Sequence, residues 1–197
     1  MGRYRVGIET RERILAATRR LCSEVGIDDV TLKAITDEAG VGAGSFYNLF
    51  DSKESAVFEV VREAIEAVDP DPSGVREETL EALVDAFVSF VTDQSPIARI
   101  YLQLAVGRGL TDPAIGARVL RSHHQRLERF TEAWLREAPG LDREEAEERA
   151  VLTLSSLTGL AIAALLDPSF ELRAHARHLI PSRRILVEGA GQKGRKG

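Results

Sequence analysis

The sequence has a single cysteine, Cys22, so no intramolecular disulfide can close. That excludes a small secreted scaffold held by crosslinks and fits a reducing compartment. No run alternates apolar and polar residues long enough for a convincing strand, so no β-sheet is expected. The basic start, MGRYRVGIETRER, is not followed by an apolar core, so no signal peptide is expected and the chain is placed in the cytoplasm. His123 and His124 are adjacent and cannot share a helix face. His175 and His178 can, but neither cysteine nor a carboxylate cluster joins them, so neither a metal nor a cofactor is expected. Gly40, Gly42 and Gly44 follow a helical pattern as G-x-G-x-G, not the G-x-G-x-x-G that opens a nucleotide site after a strand. No Ser/His/Asp or paired-carboxylate arrangement stands out, so no enzyme is expected.

What is present is an apolar fraction of 44% over 197 residues, enough for a real core. The net charge of −5 is unevenly spread. Residues 1–20 carry six arginines against Glu9 and Glu12, residues 61–172 carry 11 basic and 20 acidic side chains, and residues 173–197 carry seven basic side chains against Glu188. A basic end on an acidic body suits a protein that offers that end to a polyanion, although charge runs are also ordinary solvated faces.

The first 60 residues read as short helices with tight breaks. Thr10 is the expected cap of a first helix with the stripe Ile14, Leu15, Leu21, Cys22 and Val25, stopped by Gly26. Cys22, on that stripe, is read as core. Thr31 caps a second helix with Leu32, Ile35 and Ala39 inward, ended by Gly40. A third helix carries Phe46, Leu49 and Phe50 on its buried face, and Asp51 or Ser52 caps a fourth with Val57, Phe58, Val61, Ile65 and Val68. DPDPSG at 69–74 is a loop within the second domain. Further helical patterns follow over 75–94 and 114–138. Residues 150–166, AVLTLSSLTGLAIAALL, carry no charge; the hydroxyls and Gly159 argue against a membrane span, and a helix apolar all round needs burial on every side. With Asp142 as its cap and Ser156, Gly159 and Ala163 as a small-residue strip, it reads as a helix that pairs with a second copy of the chain, or else as an ordinary core helix. A last helix is expected near 170–187, with Pro181 ending or kinking it.

The segment TLKAITDEAGVGAGSFYNLFDSK, Thr31 to Lys53, reads as a helix-turn-helix, in which one short helix crosses the DNA backbone and the next enters the major groove. The outward face of that next helix holds Gly44 and Asn48, flanked by Ser45 and Tyr47, and no acid. Asn48 suits a bidentate bond to adenine, Ser45 and Tyr47 suit phosphates, and Lys53 offers a charged phosphate contact.

This segment closely resembles the TetR family of transcriptional regulators, through Thr31, Leu32, Ile35, Ala39, Gly40, Val41, Gly44, Ser45, Phe46, Tyr47, Leu49, Phe50, Ser52, Lys53 and Glu54, without gaps. The resemblance extends over about residues 10–65. Gly42 stands where the family has Ser, which removes a hydroxyl cap; Thr36 replaces a usual Ala. Ala43 replaces a larger, often basic side chain and leaves only apolar contact there, such as with a thymine methyl. The resemblance implies an all-α homodimer with an N-terminal three-helix helix-turn-helix domain and a larger C-terminal helical domain for ligand binding and dimerisation. The domains are expected at 1–52 and 53–188, with 189–197 a disordered basic tail. The expected DNA-binding residues are Thr31, Lys33, Gly42, Ala43, Gly44, Ser45, Tyr47, Asn48 and Lys53; the expected ligand-binding residues are Phe87, Phe90, Tyr101, Gln103, His124, Phe130, Trp134 and Thr158. The function implied is that of a ligand-responsive repressor released from operator DNA by a small, largely apolar effector. The alternative is a small-molecule-binding protein or enzyme on the same scaffold that has lost DNA binding.

Overall fold

The structure, a computed structural model, describes residues 2–69 and 78–181, with side chains from Arg5 onward. Most of the expected loop at 69–74, the tail at 189–197 and the end of the last expected helix lie outside the described residues. Among the described residues every regular element is helical. In order these are α1 (Gly2–Val25), α2 (Leu32–Ala39), α3 (Ala43–Tyr47), α4 (Lys53–Glu66), α5 (Leu80–Asp93) and α6 (Ser95–Leu102). A π-helical turn (Gln103–Arg108), α7 (Pro113–Glu137), α8 (Arg143–Leu166), α9 (Leu172–Ala176) and a 3-10 turn (Arg177–Leu179) follow.

The local signals explain most boundaries. Gly26 (φ 81°) and Gly40 (φ 63°) sit in the left-handed region and stop α1 and α2. Thr31 Oγ1 accepts from the Ala34 amide at 3.1 Å. Ser52 and Ser55 form a reciprocal capping box on α4, as Asp142 and Glu145 do on α8. Asp112 Oδ1 accepts from Ala114 N (2.8 Å) and Ile115 N (3.2 Å) at the start of α7.

Three expectations are corrected. Thr10 does not cap α1: the helix runs back to Gly2, and the Thr10 hydroxyl instead donates to the Val6 carbonyl at 2.7 Å inside it. The apolar stripe of α1 ends before Val25, which is 52% exposed, because buried Ile27 and Val30 beyond Gly26 take over the core. Among the described residues the last expected helix is limited to the short α9, which starts at Leu172 and passes into a 3-10 turn before Pro181.

Two compact units result, residues 1–67 with 94–119 and residues 68–93 with 120–197. In the first, α1 packs on α2, α4 and α6, and α4 also packs on α6. Its core is Ile14, Leu15, Ile35, Phe46, Val57, Val60, Ile97 and Leu104. The sequence shows no sign of the π-helical turn, where the Gly109 amide reaches the Leu104 carbonyl five residues back at 2.7 Å. A Cβ on Gly109 would lie 2.5 Å from the Ala105 carbonyl oxygen, and one on Gly116 would lie 2.5 Å from the Gly109 carbonyl oxygen. Both glycines are thus fixed by close backbone approach.

In the second unit α5, α8 and α9 pack together. Trp134 is buried and its indole N–H donates to Thr153 Oγ1 at 3.2 Å, which joins α7 to α8. Arg129 grips both Asp69 and Glu78, the described ends of the segment between α4 and α5. Its guanidinium is held further toward the charged state by the hydrogen bonds it donates to Glu78 and Asp69.

Two glycine-to-alanine substitutions should therefore move stability in opposite directions. Gly116→Ala drives a methyl into backbone and should cost about 1–3 kcal/mol. Gly7→Ala, in a helix with nothing within 4 Å of the new methyl, should gain up to about 1 kcal/mol. Thermal unfolding of both variants, followed by circular dichroism, checks the signs.

Candidate nucleic-acid interface

α3 is five residues long and its N-cap, Gly42, makes no side-chain cap bond, so packing rather than capping fixes it. Phe46 is fully buried, with Phe50 5.5 Å from it between ring centroids. With these two rings inward, Gly42, Ala43, Gly44, Ser45, Tyr47 and Asn48 are all exposed. Tyr47 stands edge-on to Phe46 at 5.8 Å and is 57% exposed. Leu49 departs from its expected place on the buried face: it lies past the end of α3 in a turn and is 37% exposed. Thr36, unusual for the resemblance, is accommodated by donating its hydroxyl to the Lys33 carbonyl at 3.0 Å.

Lys53 departs further from expectation. Its ammonium is turned inward and donates to the carbonyls of Ile27 (2.9 Å) and Val30 (2.7 Å), in the α1–α2 loop. Two of its three N–H groups are thereby committed, so its first role is to hold that loop rather than a phosphate. A second cation works on the same loop. Arg108, at the end of the π-helical turn, donates to Asp28 (3.0 Å) and to Glu54 (2.8 Å), beside Lys53 on α4. Sequence reasoning missed Arg108 because its partners lie 80 and 54 residues away, and no local pattern records such a pair. Cys22 is buried behind the loop, and burial pushes its thiol up to about 11, consistent with core.

The arginines of α1 also serve the fold more than the surface. Arg11 pairs with Glu59 and Glu63, Arg19 with Glu63, and Arg20 with Glu24 and Glu38. Arg13 donates to the Ala39 carbonyl at 3.3 Å, at the end of α2. Glu59 lies below the usual carboxylate range, chiefly through hydrogen bonds from Arg62 and the charges of Arg62 and Arg11. Of the other DNA-binding candidates, Thr31 is exposed while capping α2, and exposed Lys33 pairs with Asp37 at 2.5 Å.

The ligand-binding candidates do not gather as one set. Tyr101 and Gln103 belong to the first unit and the other six to the second. Gln103, His124 and Thr158 are exposed; Phe90, Phe130 and Trp134 are core; Phe87 and Tyr101 are half-buried. The Trp134 ring also lies under the Arg149 guanidinium, 5.3 Å from its centroid. On α8, Ala146, Ala150, Thr153, Leu154, Leu157 and Ala161 face inward, while Ser156 and Gly159 are exposed and Ala163 is half-buried. Val151, Leu152, Ile162 and Leu166 are exposed large apolar residues on the same helix.

A short exposed helix carried on two buried rings, after a tight glycine turn, defines a helix-turn-helix DNA-binding protein. The profile described as "Bacterial regulatory proteins, tetR family" matches residues 14–60. The HTH-type transcriptional regulator UidR of Escherichia coli K12 is 24% identical over 191 residues, 91% of this chain and 92% of that protein. Among solved structures, TylP, a TetR regulator from Streptomyces fradiae, is 25% identical with a TM-score of 0.66, covering 92% of this chain and 90% of its own. SmeT, the repressor of a Stenotrophomonas maltophilia multidrug efflux pump, has been solved with triclosan; it is 19% identical with a TM-score of 0.63, covering 83% of this chain and 84% of its own. Residues 14–60 thus match the DNA-binding domain of the tetR family of bacterial regulatory proteins, and the chain as a whole is similar in sequence and fold to transcriptional regulators.

The role of Lys53 separates cleanly by salt dependence. Lys53→Met should destabilise the fold by about 1.5–3 kcal/mol, the worth of hydrogen bonds from a charged donor, and weaken all DNA sequences alike. The slope of log affinity against log salt should stay unchanged. A slope reduced by about one would restore a direct phosphate contact.

Proposed function

We propose that this regulator is a cytoplasmic repressor that binds a two-fold operator as a homodimer and is released by a small, largely apolar effector. The observation that carries DNA reading is the exposed face of α3, free of acidic side chains and backed by Phe46 and Phe50. Asn48 reads a base edge, Ser45 and Tyr47 bond phosphates, Ala43 contacts a methyl, and Gly42 and Gly44 admit close approach to the duplex. Thr31 and Lys33 lie where α2 crosses the backbone. Residues 1–52 form the reading head, and residues 53–188 carry dimerisation and effector binding.

The dimer reading rests on α8. Its outward Leu152, Ser156, Gly159, Ile162 and Leu166 recur at helical spacing and form an apolar stripe that is exposed among the described residues. A second copy of α8 covers it, with Ser156, Gly159 and Ala163 allowing close approach. SmeT, a fold relative that takes triclosan, supports an apolar effector. Within the second unit, half-buried Phe87 beside the buried rings of Phe90, Phe130 and Trp134 is the aromatic surface nearest such an effector's chemistry, with His124 and Thr158 as exposed polar candidates. The two heads must match half-sites about 34–36 Å apart, or a multiple of that. An effector that prefers another spacing releases the operator without touching it.

Two measurements test this reading. Placing Arg at Gly159 should bury an unpaired charge in the interface; sedimentation should find Gly159→Arg monomeric and anisotropy should find its operator affinity at least tenfold weaker. A Gly159→Arg protein that remains dimeric moves the interface elsewhere. A triclosan-like apolar compound should change Trp134 fluorescence and release promoter DNA over one concentration range. Tight binding with unchanged operator affinity would contradict the coupling.

A further inference from the structure

α3 and its flanks are poor in one kind of reader. From Val41 to Ser52 there is no lysine or arginine. The neighbouring cations are occupied: Lys53 by the Ile27 and Val30 carbonyls, Lys33 by Asp37 at 2.5 Å, and Arg13 by the Ala39 carbonyl at 3.3 Å. The commonest specific contact in the major groove, a bidentate bond from a cationic side chain to guanine O6 and N7, therefore has no donor on this helix. The exposed side chains offer one amide, Asn48, whose bidentate partner is adenine N6 and N7. They also offer apolar surface from Ala43 and from Leu49, left 37% exposed past the end of α3. In the major groove the apolar partner is the C5-methyl of thymine. The hydroxyls of Ser45 and Tyr47 serve any base or phosphate.

We propose that this regulator reads its half-sites as A·T pairs, with Asn48 on adenine and Ala43 and Leu49 against thymine methyls. The inference rests on the DNA-reading role given to α3 above, and adds the class of base pair it selects. Leu49 becomes a specificity-determining residue, although its sequence pattern had assigned it to the core.

The test is selection of bound duplexes from a random library by the full chain at one fixed salt concentration. The expected result is A·T at the read positions of each half-site. Replacing thymine with deoxyuracil there, which removes only the methyl, should weaken binding about fourfold per methyl. Asn48→Ala should lose about 5- to 150-fold discrimination at one position. Asn48 is exposed at the end of α3, so Asn48→Arg should fold normally and shift that position toward G·C. Selected half-sites with G·C at the read positions, or deoxyuracil without effect, would overturn this inference and leave DNA binding standing. Failure to enrich any sequence would overturn the DNA-reading role of α3 together with it.

Discussion

The reading head depends on one ammonium group. The α1–α2 loop turns the chain from the scaffold helix α1 into the helix-turn-helix, and its Ile27 and Val30 carbonyls both accept from one side chain. Lys53 supplies the donors, from the first residue of α4. Because Ser52 caps α4 and Phe50 lies two residues earlier against Phe46, the same short stretch fixes the loop before α2 and the rings beneath α3. Charge-assisted bonds to buried-loop carbonyls are worth more than exposed ion pairs, so this clasp outweighs the many arginine–glutamate pairs along α1. Arg108 adds a second grip from the π-helical turn, on the loop side chain Asp28 and on Glu54.

That arrangement changes the meaning of the charge distribution. A net positive start looks like an electrostatic footprint for DNA, yet Arg11, Arg13, Arg19 and Arg20 are engaged with α2 and α4 or within α1. The surface left for DNA is then short, polar and nearly uncharged. In the proposed dimer, two heads acting together offset a low local cation count, which ties DNA binding to the exposed stripe of α8 as well as to α3.

The parts legible in the sequence were those written in local chemistry. Thr31, Gly40, Ser52 and Asp142 are boundary residues whose side chains or φ preferences act within three or four residues, and each does what its type demands. The exposed face of α3 followed from the positions of Phe46 and Phe50. Leu49 was misplaced because a helical wheel was extended past Tyr47, where the helix ends. Thr10 was misplaced because a cap and a hydroxyl bonded four residues back inside a helix look alike in sequence. Lys53 and Arg108 are set by partners 23 to 80 residues distant, and the π-helical turn by backbone approach at Gly109 and Gly116; no residue pattern encodes either. The effector-site candidates were the least legible, since any apolar helix interior supplies candidate aromatics, and Phe90, Phe130 and Trp134 are buried.

The central claim is that two copies of this head present α3 to successive major grooves. Hydroxyl-radical footprinting on promoter DNA measures it most directly. The account predicts two equal protected patches whose centres lie one helical turn, or a whole number of turns, apart. A single protected patch, or even protection along the fragment, would contradict it.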